Sequence, residues 1–467
     1  MRVTVTKPQQ TSNGTSGAAR PLAPHHSVES RRRLRVRAAL AGGAALATLL
    51  GGAPHAQATT VPLQPNPAAA TQTASNATAT RITALEKAVA TAPKNGTAWR
   101  DLGGAYVRRA FETADPSYYP LAERALSTAA TLLPGSTDVL ALRAGLDLAR
   151  HQFRDARTLA NRVLAARPDG FDARVALIDA QIELGRYSDA ATEVDQLLDQ
   201  RVGVASLSRL SYLRQLQGDI IGAEAAMRQA AIAAPAGSLD RSVAQAYLGD
   251  VLMEKGNVDA AARAYDAALA ITPTSAVASM GRARVLAARN NYSEAARALD
   301  ALTQRVPLPG ALGLRSDVAR AAKDSKANTA ADQLVDASIA LFQANGAVVD
   351  AELAILLADR GPSAGPAAVS AARRAYAERR TIFTADALAW ALFVNGDAVR
   401  AEPYAREAIA TNPAVASVHW HAARVFDALG KRDDASTELR SALRNPWFSI
   451  SQHADLMAMA DKLGVKP

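Results

Sequence analysis

No cysteine occurs among the 467 residues. The chain therefore has no disulfide, no thiolate nucleophile, no cysteine–zinc site and no cysteine for lipoprotein attachment. Aromatic residues are scarce too, at 5% against 49% hydrophobic residues in all. Alanine carries most of the apolar content, and alternating runs of Val, Ile, Thr and Tyr are nearly absent. That pattern argues against a sheet core and predicts closely packed helices. Chemical motifs are missing as well: there is no P-loop, G-x-G-x-x-G, G-x-S-x-G or H-E-x-x-H. Three of the seven histidines (His25, His26 and His55) lie in the first 58 residues. His419 and His421 look like a metal pair, but at i and i+2 they point to different faces of a helix. Nothing in the spacing ties His453 to them. His151 falls in the turn sequence "ARHQFRDA", and Asp433-Asp434 open a helix, where negative charge suits the dipole. No catalytic, cofactor-binding or metal-binding residue is assigned, and the chain does not read as an enzyme.

Charge is unevenly placed. The formal net charge is +9, from 53 Lys and Arg against 44 Asp and Glu. Residues 1–58 hold eight of the cations and a single acid, Glu29, which leaves 45 basic against 43 acidic groups in the rest. A nearly neutral body argues against an electrostatic grip on nucleic acid.

Residues 31–58, "RRRLRVRAALAGGAALATLLGGAPHAQA", place a basic cluster before an apolar stretch from Ala38 to Ala53. Pro54 ends the stretch, and Ala56-Gln57-Ala58 is a small-x-small cleavage site. This is the three-part layout of a secretory signal peptide, with a stretch short for a membrane span. "SRRRLR" at 30–35 partly resembles a twin-arginine signal; Leu34 and Arg35 depart from it. A retained anchor is the alternative to cleavage, and a start at Val28 would explain the long segment before the basic cluster. Cleavage near Ala58 predicts a mature chain beginning near Thr59, outside the cytoplasm, with no stable membrane span. Residues 59–80, rich in Thr, Ala and Pro, read as a disordered linker.

From residue 81 a unit recurs. Pro134, Pro168, Pro235, Pro273, Pro307 and Pro413 close it, and glycines such as Gly185, Gly218, Gly396 and Gly430 mark its middle. Trp99, Leu102, Gly103 and Tyr106 stand at i, i+3, i+4 and i+7, one stripe of a helix. Ala122, Leu126, Ala129 and Pro134 complete that unit once an insertion around Arg109–Pro116 is allowed. A further unit runs through Leu248, Gly249, Gly256, Ala261, Tyr265, Ala268 and Pro273. A unit of this length and pattern resembles the tetratricopeptide repeat, and about eight copies are expected between 81 and 446. The resemblance implies an all-α, right-handed superhelical solenoid of antiparallel helix pairs, with no cofactor. Repeats are expected at 81–307 and 346–446, an irregular helical repeat at 308–345, and a C-terminal capping helix at 447–467. Gly249 is placed where two helices meet, and Gly310 in a loop.

In this family the first helix of each pair lines a concave groove that holds peptide ligands. By register, the groove of the last units falls at Phe383, Asp386, Trp390, Phe393, Trp420, Arg424 and Asp427. Asp179, Tyr212, Gln215, Asp250, Met280 and Arg284 give a more polar groove earlier. Packing of Trp390 and Phe393 between helices is the competing reading. Tyr118 and Tyr119, in the insertion, are a secondary candidate, either for local packing or for a partner contact. The expectation is an exported scaffold that binds a protein or peptide partner in its groove, in cell-envelope assembly or organisation. The alternatives are a cytoplasmic adaptor or regulator with a misread N-terminus, and an enzyme or a solute- or metal-binding protein on the same scaffold.

Overall fold

The computed structural model describes residues 71–113 and 115–466, with no side-chain detail for 71–77. The basic cluster, the apolar stretch and the Ala56-Gln57-Ala58 site lie outside the described residues. Within them are 22 α-helices, one short 3-10 turn and no β-strand. Helix α1 (Thr71–Thr91) begins inside the stretch expected as linker. Ten antiparallel pairs follow. These are α2 (Gly96–Thr113) with α3 (Tyr118–Leu132), α4 (Thr137–Ala149) with α5 (Phe153–Ala166), and α6 (Phe171–Glu183) with α7 (Tyr187–Gln200). Next come α8 (Val204–Leu216) with α9 (Ile220–Ala233), α10 (Leu239–Glu254) with α11 (Val258–Ile271), and α12 (Ala276–Ala288) with α13 (Tyr292–Arg305). The last four are α14 (Pro309–Ala321) with α15 (Ser325–Ala344), α16 (Asp350–Ala358) with α17 (Gly365–Glu378), α18 (Ile382–Val394) with α19 (Ala398–Ala408), and α20 (Ala416–Ala428) with α21 (Arg432–Ala442). Helix α22 (His453–Leu463) closes the array.

Ten pairs stand where about eight were expected, and one of them is α14–α15, a regular hairpin in the stretch 308–345 that was expected to be irregular. Its mid-pair turn hides the glycine ruler: Lys323 takes the left-handed conformation there at φ 57°. His151 and Asn290 do the same in their pairs, at 59° and 62°, where Gly185 and Gly396 adopt 73° and 86°. That position satisfies carbonyls at the helix C-terminus whichever residue fills it. Second helices start on side-chain caps in several pairs: Asp219, Asn257, Asp324 and Asp397 each accept a backbone N–H three residues on.

Close packing follows from the small residues. A Cβ on Gly103 would stand 2.6 Å from Leu126, so the glycine is what lets α2 meet α3. Tyr265 of α11 lies between Gly249 of α10 and Gly281 of α12; a Cβ at either would fall within 2.4 Å of its ring. Gly310 is buried in the first turn of α14 rather than in a loop.

The array also packs on itself. Val348 N–H donates to the Arg150 carbonyl at 2.9 Å, and Gln152 donates to the Gly346 carbonyl. Arg379 pairs with Glu183, 196 residues away in sequence. Val175, Ile178, Ile182 and Leu213 of α6 and α8 share one apolar cluster with Ile382, Val415 and Val418. The mid-pair turns of early pairs thus meet the loops between later ones. Residues 447–452, expected as part of the capping helix, are irregular and cross the ends of α12 and α14. There the Asp317 carboxylate accepts from Ser449 Oγ, from the Ile450 N–H at 2.7 Å, and from the N–H and hydroxyl of Ser451.

Candidate functional site

The expected C-terminal groove is not open in this structure. Trp420 is 0% exposed and donates its indole N–H to Gln452, in the irregular segment before α22. Trp390, 5% exposed, donates to Asp359 at 3.0 Å and stacks on both Phe393 and His421. Asp386, 1% exposed, pairs with His421 at 2.9 Å. Phe383 and Phe393 are half-buried against the core clusters. Arg424 lies over the rings of Phe393 and Trp420, and Asp427 pairs with Lys462 of α22. The seven residues do lie together, on α18 and α20, the first helices of two successive pairs. What covers them is the chain itself, through residues 445–463 and the stacked earlier pairs.

The polar earlier positions are also engaged. Asp179 and Arg209 form a buried ion pair between α6 and α8, and burial raises the Asp179 pKa against the pull of that arginine. Gln215 is buried, and Tyr212 and Met280 are half-buried. Asp250 accepts the Tyr265 hydroxyl at 2.7 Å, and its burial pushes its pKa up to about 6. A small cavity of about 50 Å³ remains between the stacked pairs, lined by Glu254, Arg284, Asp317, Asp359 and His421 among others. Burial raises Glu254 to about 7 and Asp359 above its ordinary range. A space that size suits a buried water rather than a peptide.

Of the secondary candidates, Tyr119 is buried in an apolar cluster with Leu102, Tyr106 and Leu126, and Tyr118 is half-buried, its ring 6.1 Å from that of Tyr106. Both lie in the packing of α2 on α3. His419 reaches Glu438 and the Pro413 carbonyl, whereas His421 faces Asp386.

An open concavity exists instead at the other end of the array. It is a cleft of about 680 Å³ among α1, α2, α4 and α6. Gly104, Ala105, Ala141 and Leu142 supply a small apolar floor; a Cβ on Gly104 would already press on Leu142 at 3.3 Å. Arg100 bridges Asp101 and Asp138 along one side, and Arg167 pairs with Asp138 from α5's end. Asp169 and Asp172 stand at the start of α6, and burial raises the Asp172 pKa despite Arg201 and Arg167. Arg81 of α1 and Arg108 of α2 complete the wall. Sequence reasoning missed this cleft because it looked for aromatic anchors. The usable signal was Arg100, Gly104 and Arg108 at i, i+4 and i+8, a basic stripe around a residue with no side chain.

Two family models described as tetratricopeptide repeat match the sequence, one at residues 147–210 and 252–318, the other at 212–276 and 387–450. No curated protein matches it. Among solved structures, yeast Tom70 is similar at 11% identity and a TM-score of 0.33, over 80% of this chain and 96% of that one. A tetratricopeptide repeat protein from Parabacteroides merdae ATCC 43184 is similar at 13% identity and a TM-score of 0.29, over 71% of this chain and 99% of that one.

Proposed function

Because the chain belongs to the tetratricopeptide repeat family, a scaffold for protein–protein interaction, we propose that it is exported and holds a protein partner in the cleft among α1, α2, α4 and α6, in the assembly or organisation of the cell envelope. One observation carries the placement of the site. This is the concavity of about 680 Å³ on the first helices, whereas the same face of the later pairs is covered by the chain itself. The basic cluster, short apolar stretch and Ala56-Gln57-Ala58 support export. No described helix is long and apolar enough to cross a membrane.

The test is copurification from envelope extracts with the intact chain and with Ala141→Trp, which fills the cleft floor from a half-buried position. Loss of a specific copurifying protein in the variant, with circular dichroism unchanged, supports the reading. Equal recovery with both chains would overturn the cleft as the partner site.

A further inference from the structure

The segment that covers Trp420 is built differently from the helices around it. Between the end of α21 and the start of α22 the chain has no regular structure, and of residues 444–452 only Asn445 and Ile450 are fully buried. Among the described residues, no backbone carbonyl accepts from the N–H of Ser449, Ile450, Ser451 or Gln452. Asp317 stands in for those carbonyls. Its carboxylate accepts from Ser449 Oγ at 3.0 Å, from the Ile450 N–H at 2.7 Å, and from both the N–H and the hydroxyl of Ser451. Gln452 donates to Asp359 at 3.2 Å and accepts the Trp420 indole N–H. The fully buried apolar anchor is Ile450, against Ala287, Leu314 and Val318. Beneath the segment lies the cavity of about 50 Å³. Beside Trp447 lies an open surface hollow of about 470 Å³, with Lys255, Asp259 and Arg289 around it.

The two ends of the segment are held independently of its middle. A Cβ on Gly256 would stand 2.4 Å from the Arg444 carbonyl, so the chain is pinned against the turn between α10 and α11. Helix α22 sits on the core through Leu456, Met459 and Leu463. Lifting the middle does not strand the charges beneath it. Arg320 already stands 3.9 Å from Asp317, and Asp359 keeps the Trp390 indole N–H. A buried carboxylate stripped of every partner would forbid opening; here the loss is confined to a few hydrogen bonds and one apolar side chain.

We infer that residues 444–452 are a lid, which opens about fixed ends and gates the aromatic face of α18 and α20 by closing it with the chain's own segment. One carboxylate carries four of the lid's bonds, so the segment lets go as a unit. What can compete with the lid has the lid's own chemistry. It is an aromatic residue followed by hydroxyl and amide donors, set against the Trp420 ring and the acceptors Asp317 and Asp359. Such a competitor enters only by displacing the lid, which therefore sets the threshold for entry.

Hydrogen exchange on the intact chain, read together with a labelled, end-blocked peptide of residues 444–453, tests this. The amides of Ile450 and Ser451 should exchange at least about a hundredfold faster than those of Ala422–Phe426 in α20, because the lid opens without the core. Ser449→Ala/Ser451→Ala removes two of the four donors to Asp317 and leaves the face intact. Its lid amides should exchange about tenfold faster still, with α20 unchanged, and it should bind the peptide about tenfold more tightly than the wild type does. Adding Asp317→Ala to that variant should abolish peptide binding although the lid is open. Lid amides exchanging as slowly as α20, or α20 loosening together with the lid in the double variant, would make the segment part of the core and overturn the proposal. Equal peptide binding by the wild type and the double variant, or binding by neither, would overturn the gating. Binding that survives Asp317→Ala would show that the peptide does not take the lid's place, and would overturn it too.

Discussion

Tyr265 shows at the scale of single residues how a scarce aromatic is accommodated. Glycines on two neighbouring first helices leave the gap its ring fills, and its hydroxyl reaches Asp250. Gly249→Ala should therefore cost about 1–3 kcal/mol, the usual range for overpacking. Gly203→Ala, where a Cβ meets nothing within 4 Å and φ is extended, should leave a denaturant melt nearly unmoved. Equal losses at both sites would contradict the packing described. Glu254 gives a prediction of a different kind. Burial raises its pKa from the ordinary 4.5 to about 7, so between those values the folded chain holds a proton that the unfolded chain has lost. Stability from this group is present below about pH 4.5 and falls as the pH rises through 7. Glu254→Gln avoids that loss. Its melting temperature should match the wild type near pH 4.5 and exceed it above pH 7, by on the order of 1–3 kcal/mol in stability. Thermal melts across that range would check it. The close approach at Gly249 was legible in the sequence, because a glycine inside a helical stripe is costly without a packing reason. The surroundings of Glu254 were not legible, since they are assembled from α10, α12, α14 and α20, which no local spacing connects.

Element by element, pairing within hairpins was the readable part. Periodicity, closing prolines and small residues across each pair are local, and they placed Trp420 on the first helix of its pair. Whether that face is open depends on what arrives from elsewhere, and here α22 and the segment before it cover it. Trp420→Ala should accordingly lower stability by about 3–5 kcal/mol, as expected for a large side chain removed from a core. A melt unchanged by the substitution would mean that this face is open in solution. The 447–452 segment went unread as a separate element because its anchor is a carboxylate more than 130 residues away. Asp317→Ala should free that segment, and limited proteolysis should then cut near Trp447–Ser451 well before the wild type is cut. Equal cleavage rates would show that the carboxylate does not hold it.

For the molecule as a whole, the first expectation to check is processing. N-terminal sequencing of the native protein should find a start near Thr59; an intact Met1 or Val28 terminus on a cytosolic chain would refute export. Replacing Arg31 and Arg32 by Lys should stall export only on a twin-arginine route. Which route applies bears on the contacts between early turns and late loops. A solenoid held only by neighbours can fold from its leading end as it emerges. This one cannot finish that way. Ile178, Ile182 and Leu213 wait for Ile382, Val415 and Val418, and Glu183 waits for a partner 196 residues downstream. Closing a loop that long adds little equilibrium cost, because the entropy grows only with the logarithm of its length, but it delays the step. A chain threaded through a membrane with its N-terminus first would therefore expose a sticky apolar seam until its last hundred residues had crossed. A chain folded before transport would never show that seam outside the cell.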